Sequence, residues 1–232
     1  MRHFYIIALA STLLLGLSCS RKAEEGSLYP WERTTILQSD SVMYVPTIMD
    51  RDDSILLRTP CIDFSLADLG SPLFKTLSEK MLSTVNAPEQ DGVGIAATQV
   101  GLSHRVVAVL RYDKEGEPFE IYPNIEILEY QGNLVDGAEG CLSVPPYRGN
   151  VRRWEKVLVK YTSPRTLRDT TELVEGYTAR IFQHEVDHIN GTLYIDRADT
   201  VFVNEDWKKE REAFAAQGKY LKPEWMKNLR KD

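Results

Sequence analysis

The stretch Gln183-His184-Glu185-Val186-Asp187-His188 decides which fold and which chemistry the sequence predicts. Two histidines four residues apart lie on one face of a helix, with Cβ atoms roughly 5–6 Å apart, which suits two imidazoles that converge on one metal ion. The alternative is a pair of exposed histidines on a charged helix. The whole chain has four histidines and two of them form this pair, which favours the metal site.

The residues around this pair support a helix on independent grounds. Tyr177, Ile181 and Ile189 repeat at helical spacing, and the pair Asn190-Gly191 is a stop signal, so the sequence predicts a helix from Tyr177 to Ile189. Glu185 follows the first histidine directly. In such a site a neighbouring glutamate can act as the general base on a water molecule at the metal.

A third ligand is needed, because catalytic sites of this type use three protein ligands and keep one position open. No histidine follows His188, and the downstream acidic residues form no recognisable ligand pattern. Cys141, in Glu139-Gly140-Cys141-Leu142-Ser143, offers a thiolate, which is a strong ligand for a borderline-soft divalent metal. Without the histidine pair, Cys141 would be interpreted as a buried structural thiol.

The segment Gly92-Val93-Gly94-Ile95-Ala96-Ala97-Thr98-Gln99 combines small residues with one amide donor. Its two glycines permit a ligand or a strand to approach the backbone closely. The Gln99 amide could face negative charge that develops during a reaction. The alternative is a turn that leads into a helix. The segment is not a nucleotide-binding fingerprint, because no Gly-x-Gly-x-x-Gly follows a strand here.

The remaining pattern predicts short strands between a few helices. Ser71-Pro72 begins a helix, with an N-cap followed by proline. Strands are predicted at 105–110, 121–130 and 157–161, and a charged amphipathic helix at 207–214. The elements do not alternate as β-α-β, so the expected class is α+β rather than doubly wound. The net charge of -6 opposes non-specific binding to nucleic acid.

The N-terminus predicts export. Residues 4–17 form an apolar run shorter than the ~20 residues of a membrane span, which is typical of a signal peptide. Gly16-Leu17-Ser18-Cys19 resembles a bacterial lipobox, with Cys19 as the lipidated residue. One alternative is ordinary secretion without a lipid. The other is a mis-assigned start codon, in which case the protein would stay in the cytoplasm. The predicted organisation is a signal peptide at 1–18, a polar tether at 19–43, a catalytic domain at 44–200 and a C-terminal helical extension at 201–232.

The three motifs, taken in their order along the chain, resemble the peptide deformylase family. The family pattern is Gly-x-Gly-x-Ala-Ala-x-Gln, then Glu-Gly-Cys-Leu-Ser, then Gln-His-Glu-x-Asp-His. This chain carries all three, at 92–99, 139–143 and 183–188, and the resemblance covers about residues 45–197. It implies an α+β fold with antiparallel β-sheets packed around a central helix that carries the His-Glu-x-x-His motif.

The resemblance also implies a reaction and its residues. Cys141, His184 and His188 would hold one divalent metal ion, typically Fe(II), with zinc, nickel or cobalt accepted. Glu185 would move the proton, while the Gln99 side chain and the Leu142 backbone N–H would stabilise the oxyanion. The formyl group of an N-terminal formyl-methionine would leave as formate.

Further residues gain substrate roles only through the resemblance. The backbone of Val93 and Gly94 would pair with the peptide. Ile181 would wall the methionine pocket, although a core residue would look the same, and Arg148 would touch the substrate backbone unless it is a surface arginine. Glu139 would hold the loop of Cys141, or be a solvated acid.

The sequence departs from the family at its beginning, where a signal-like segment and a tether precede the domain. The usual Pro-x-Leu-Arg start is replaced by residues 53–58, Asp-Ser-Ile-Leu-Leu-Arg. We therefore expect the protein in the bacterial cell envelope, in the periplasm or at the outer membrane, bound to a membrane only through Cys19. We also expect a monomer. The alternatives are an exported enzyme for other N-acyl peptides, a non-catalytic lipoprotein that binds formyl peptides, and a metalloprotease that cuts internal bonds.

Overall fold

A computed structural model describes residues 26–88, 90, 92–218 and 221–229 of the chain. The predicted signal peptide and Cys19 lie outside these residues. Within them, no helix combines the length and the apolar character that a membrane crossing needs. The α-helices are α1 (Pro30–Gln38), α2 (Arg51–Leu57), α3 (Leu66–Leu69), α4 (Pro72–Val85), α5 (Gly176–Ile189) and α6 (Glu205–Ala216).

The strands form two antiparallel sheets. They are β1 (Gly94–Ala96), β2 (Val106–Leu110), β3 (Phe119–Pro123), β4 (Glu126–Gly140), β5 (Tyr147–Thr162), β6 (Asp169–Glu175) and β7 (Thr200–Val203). One sheet has the order β1-β2-β3; the other has the order β4-β5-β6, with β7 paired to the first part of β5. The predicted α+β class with antiparallel sheets is confirmed.

Helix α5 lies between the sheets and anchors the core. Its apolar residues Ile181, Phe182, Val186 and Ile189 are buried against valines of β2, β5 and β6. Each such side chain contributes about 1.5–3 kcal/mol when fully buried. The helix ends where the sequence predicts, with Asn190 as C-cap and Gly191 at φ +75°. A Cβ atom on Gly191 would lie 2.5 Å from the Arg58 carbonyl oxygen, so only glycine fits there.

Helix α4 also follows its sequence signals. The Ser71 hydroxyl accepts a hydrogen bond from the Phe74 N–H at 3.2 Å, and Pro72 occupies the first helical position. Phe74, Leu77 and Met81 are buried on one face. The observed helix therefore begins at the predicted N-cap and ends before Asn86, because the capping and the apolar period are both local properties.

The polar tether predicted at 19–43 is wrong for the part that forms α1. This helix packs on α4, and Ile36 is fully buried in the core. The buried Glu32 carboxylate accepts hydrogen bonds from the N–H groups of Tyr29 at 2.9 Å and Ser103 at 2.7 Å. Nine residues are too few to show an apolar period. Two of the partners of Glu32, Ser103 and His104, lie 71 and 72 residues away in the sequence.

Two strand predictions need correction. The single strand expected at 121–130 is split between the two sheets, because Asn124 has φ +52° and its side chain bonds the Phe64 N–H and carbonyl at 2.8 and 3.0 Å. The strand expected at 157–161 is the C-terminal part of the longer β5. The segment predicted as a helical extension begins with the end of β7 and continues into α6, which covers the predicted helix at 207–214.

Candidate metal centre

Three potential ligands converge beside α5. Cys141 follows the last residue of β4, and His184 and His188 project from successive turns of α5. Their ligand atoms all lie within 4.8 Å of one another, and the Cys141 Sγ is 3.1 Å from the His188 Nε2. The two imidazole centroids are 5.1 Å apart. One thiolate and two imidazoles at this separation suit a tetrahedral divalent ion such as zinc or iron with one open position.

The histidines are prepared for metal binding by their surroundings. The His184 Nδ1 lies 2.9 Å from the Glu139 Oε2, which leaves Nε2 directed toward Cys141. Such an outer carboxylate fixes the ring and raises its basicity as a ligand. Burial and the neighbouring His184 hold the pKa of His188 well below its ordinary value, so its ring is neutral, the form that binds metals.

Glu139 is in turn held by two arginines. The Arg153 guanidinium donates to both carboxylate oxygens at 2.9 Å, and the Arg180 Nη1 donates to Oε1 at 2.9 Å. Burial raises the pKa of Glu139, but the hydrogen bonds from Arg153 and His184 outweigh burial and hold it well below its ordinary value. Glu139 is therefore an ionised, buried acid rather than a solvated one.

Glu185 lies on the same turn as His184 and is buried. Its Oε2 has no hydrogen-bond partner among the residues that the structure describes. Burial, reinforced by Glu139 and opposed by His184, raises the pKa of Glu185 to about 7. The carboxylate therefore has an oxygen available for a proton of a reacting molecule.

Gln99 is fixed with its amide group directed at the cysteine. The Gln99 Oε1 accepts a hydrogen bond from the Ala96 N–H at 2.8 Å, and its Nε2 lies 3.4 Å from the Cys141 Sγ. Because the first bond orients the amide, the donor end faces the metal ligands. The segment is β1 followed by a 3₁₀ helix at Ala97–Val100.

A cleft of about 680 Å³ opens in front of these residues. Its floor includes Cys141, His184, Glu185 and Gln99. The residues expected to bind substrate also line it: Val93, Gly94, Leu142, Arg148 and Ile181. Ile181 is 3% exposed and packs in the core at the same time, so it is both a core residue and part of the wall.

The family profile described as Polypeptide deformylase matches residues 45–202, more than half of the chain. The chain belongs to the peptide deformylase family. Its catalytic domain is that of a metal-dependent hydrolase that removes the formyl group from an N-terminal methionine.

Three relatives illustrate the match. A peptide deformylase of Symbiobacterium thermophilum is 42% identical over 144 residues, which cover 62% of this chain and 64% of that protein. A peptide deformylase from Thermus thermophilus is 40% identical over 152 residues, which cover 60% of this chain and 73% of that protein. A solved structure is also similar, that of a class I type b peptide deformylase from Acinetobacter baumannii with Met-Ala-Ser bound. It is 38% identical with a TM-score of 0.60, and the match covers 67% of this chain and 98% of that chain. The chain thus spans less than two thirds of the Symbiobacterium protein but nearly all of the Acinetobacter one.

Several residues of this deformylase site were not predicted from the sequence. Arg180 lies one turn before His184 on α5, a spacing that could have indicated a shared partner. Arg153 bridges Glu139 and Asp187, with its Nη1 2.5 Å from the Asp187 Oδ2. No local signal predicts that contact. Helix α6 was expected as an extension, yet its residues Trp207, Glu210 and Phe214 line the cleft.

Proposed function

We propose that the chain removes the formyl group from formyl-methionine peptides in the bacterial cell envelope, as a monomer anchored by a lipid on Cys19. The catalytic part of the proposal is supported by the convergence of Cys141, His184 and His188, and by the cleft that Cys141 and His184 line together with Gln99 and Glu185. The proposed location is supported by the apolar run at 4–17 and by the lipobox-like residues before Cys19.

Cys141, His184 and His188 would hold the metal ion. We propose Fe(II), with zinc, nickel or cobalt as alternatives, because all accept a mixed sulfur and nitrogen site. When bound, the ion supplies Lewis acidity that makes water a nucleophile near neutral pH. Glu139 keeps the His184 ring in place, with 2.9 Å between its Oε2 and the His184 Nδ1.

Glu185 acts as the proton carrier. Its unpaired Oε2 faces the cleft side of α5, where it takes a proton from the attacking water and passes it to the departing amine. The cleavage of the C–N bond then releases formate and a free amino terminus. No other acidic side chain of the described cleft combines burial with an unpaired oxygen, since Glu139 is occupied by arginines.

Two donors stabilise the oxyanion. The Gln99 Nε2 is aimed into the site by the bond between its Oε1 and Ala96. The Leu142 N–H follows the cysteine and has no acceptor within the described part of the chain. Fixed donors in a buried site stabilise developing negative charge without reorganisation.

The peptide backbone is proposed to pair with β1. This strand pairs with β2 on one edge, and among the described strands nothing pairs with its other edge, which borders the cleft at Val93 and Gly94. An extended peptide adds to such an edge. The methionine side chain would then pack against Ile181. The binding of Met-Ala-Ser by the Acinetobacter relative supports a product of the same kind.

Formate release tests the activity. The protein is purified anaerobically, loaded with Fe(II) or Ni(II), and assayed with formyl-Met-Ala-Ser beside a Glu185→Ala variant. Formate release by the unmodified protein, and none by Glu185→Ala, supports the proposal. A loaded protein that binds the peptide without turnover would favour the binding lipoprotein, and cleavage of acetylated peptides alone would favour another N-acyl substrate.

A separate experiment tests the location. Cells that express the full chain are labelled with a fatty acid and fractionated, beside a Cys19→Ser variant. We expect label and membrane association in the unmodified chain and neither in the variant. An unlabelled protein in the cytoplasmic fraction would contradict the anchor while leaving the activity untouched.

A further inference from the structure

Helix α6 forms a wall of the cleft although it lies beyond residue 202, where the family match ends. Trp207, Arg211 and Phe214 are half-buried at spacings of four and three residues, so one face of the helix is turned toward the body of the protein. Trp207, Glu210 and Phe214 line the cleft together with the metal ligands Cys141 and His184.

Arg211 joins this helix to both loops that flank the metal centre. Its Nη2 donates to the Gln90 Oε1 at 3.3 Å and to the Leu142 carbonyl at 3.4 Å. The guanidinium also lies 5.6 Å from the centroid of the Trp207 ring, within the range of a cation–π contact. The position of α6 is therefore coupled to the loops that precede β1 and follow Cys141.

Gln90 supplies an unused donor at this point. It is 6% exposed and lines the cleft, and its Nε2 has no hydrogen-bond partner among the described residues. The contact from Arg211 to its oxygen places the amide nitrogen on the other side of the group. A buried, unpaired donor is unfavourable unless a ligand or water accepts its hydrogen bond.

Glu210 adds a negative charge to the same wall. It is exposed, and no ion pair joins it to another described residue. The two lysines before it on α6 have other partners: Lys208 lies 3.9 Å from Glu205, and Lys209 lies 3.7 Å from Asp206. Arg180, which also lines the cleft, is occupied by Glu139 and by the Val135 and Val151 carbonyls. Glu210 therefore offers a carboxylate without an ion-pair partner among the described residues to a cationic group of a ligand, although the cationic Arg148 also lines the cleft.

We propose that Gln90, Trp207 and Glu210 form a subsite for the peptide that follows the formyl-methionine, and that this subsite favours a lysine or arginine there. The Gln90 Nε2 donates to a substrate carbonyl, and the Trp207 ring packs on the methylenes of the basic side chain. The Glu210 carboxylate pairs with its charged end. This inference rests on the proposed deformylase function, because the cleft must hold a formylated peptide.

The charge preference is tested with formyl-Met-Ala-Lys, formyl-Met-Ala-Glu and formyl-methionine amide. We expect kcat/KM to favour the lysine over the glutamate peptide by about two- to fivefold, as for an exposed ion pair. Glu210→Gln removes this preference and Glu210→Lys reverses it. Lys208→Gln, on the same helix but outside the cleft, is the matched control and keeps the preference.

Gln90 and Trp207 are tested through a ratio of substrates. In Gln90→Leu and Trp207→Ala, we expect the ratio of kcat/KM for the lysine tripeptide to that for formyl-methionine amide to fall about three- to tenfold, the range of a lost hydrogen bond or packed ring. A general structural fault would lower both values together. Thermal unfolding shows whether each variant is folded. Because Glu210 is exposed, its substitutions should leave the packing of the core unchanged.

Two failures are distinguishable. If the unmodified protein cleaves all three substrates but Glu210→Gln and Glu210→Lys leave the lysine-to-glutamate ratio unchanged, the subsite is overturned and the deformylase function stands. If the metal-loaded protein cleaves none of them, the proposed function fails, and the subsite fails with it.

Discussion

The Glu185 carboxylate lies directly against the α-carbon of Gly94. A Cβ atom built on Gly94 would be 2.4 Å from the Glu185 Oε1 and 2.8 Å from its carboxyl carbon. Two of the three sequence motifs are therefore in contact, and the second glycine of the first motif makes room for the acid of the third.

Gly94→Ala should displace Glu185 and lower kcat by about 100-fold or more, since a positioned general base contributes about 10²- to 10⁴-fold. Metal content, measured by elemental analysis, should be retained. Gly70→Ala is the matched control, because the added Cβ would meet its nearest atom at an ordinary 3.5 Å. Unchanged kcat in Gly94→Ala would contradict the role of this contact.

Gln99→Ala should lower kcat by about 10²- to 10³-fold, the usual loss when one oxyanion donor is removed. Because Gln99 is proposed to act in the transition state, KM should change far less than kcat. Gln38→Ala, at the exposed end of α1, is the control. Steady-state kinetics on formyl-Met-Ala-Ser decide the matter, and an effect confined to KM would argue for ground-state binding instead.

Glu139→Gln should weaken metal binding by about 10- to 100-fold, the range for carboxylates that orient a histidine ligand. The neutral amide loses the charge that holds the His184 ring and that pairs with Arg153. Competition with a chromophoric chelator measures the change. Glu129→Gln, an exposed position on the same strand β4, should bind metal as the unmodified protein does, and equal affinities in the two variants would refute the role.

Ile36→Ala should lower the free energy of unfolding by about 2–5 kcal/mol, because it removes a fully buried side chain and leaves a cavity. Its neighbour Leu37 is 68% exposed, so Leu37→Ala should change stability by no more than about 0.5 kcal/mol. Urea unfolding measures both. Equal small effects would mean that α1 does not belong to the folded core in solution.

Much of the site followed from local sequence. The spacing of His184 and His188 needs only a helix to bring the rings together, and capping residues delimit α4 and α5. The resemblance of the three motifs to a family then added Cys141 as a ligand, which spacing alone left open. These features depend on residues a few positions apart or on short motifs, so the sequence alone reveals them.

Other features required the folded chain. The break at Asn124 depends on Phe64, sixty residues away, and the burial of Glu32 depends on His104 and Ser103. Neither segment has a local pattern strong enough to reveal such a partner. The predictions of a single strand at 121–130 and of a tether where α1 forms were therefore wrong for one reason. Contacts between residues distant in sequence overrode weak local preferences.

The sequence by itself determined the helix of the motif, the pair of histidines on its face and the family to which the motifs belong. Only the tertiary structure decided that Arg153 and Arg180 clamp Glu139 behind His184, and that α6 lies along the cleft. The physical reason is that helix periodicity and capping act within one or two turns. The ion pairs and the packing of α6 instead depend on where the sheets and loops bring distant residues together.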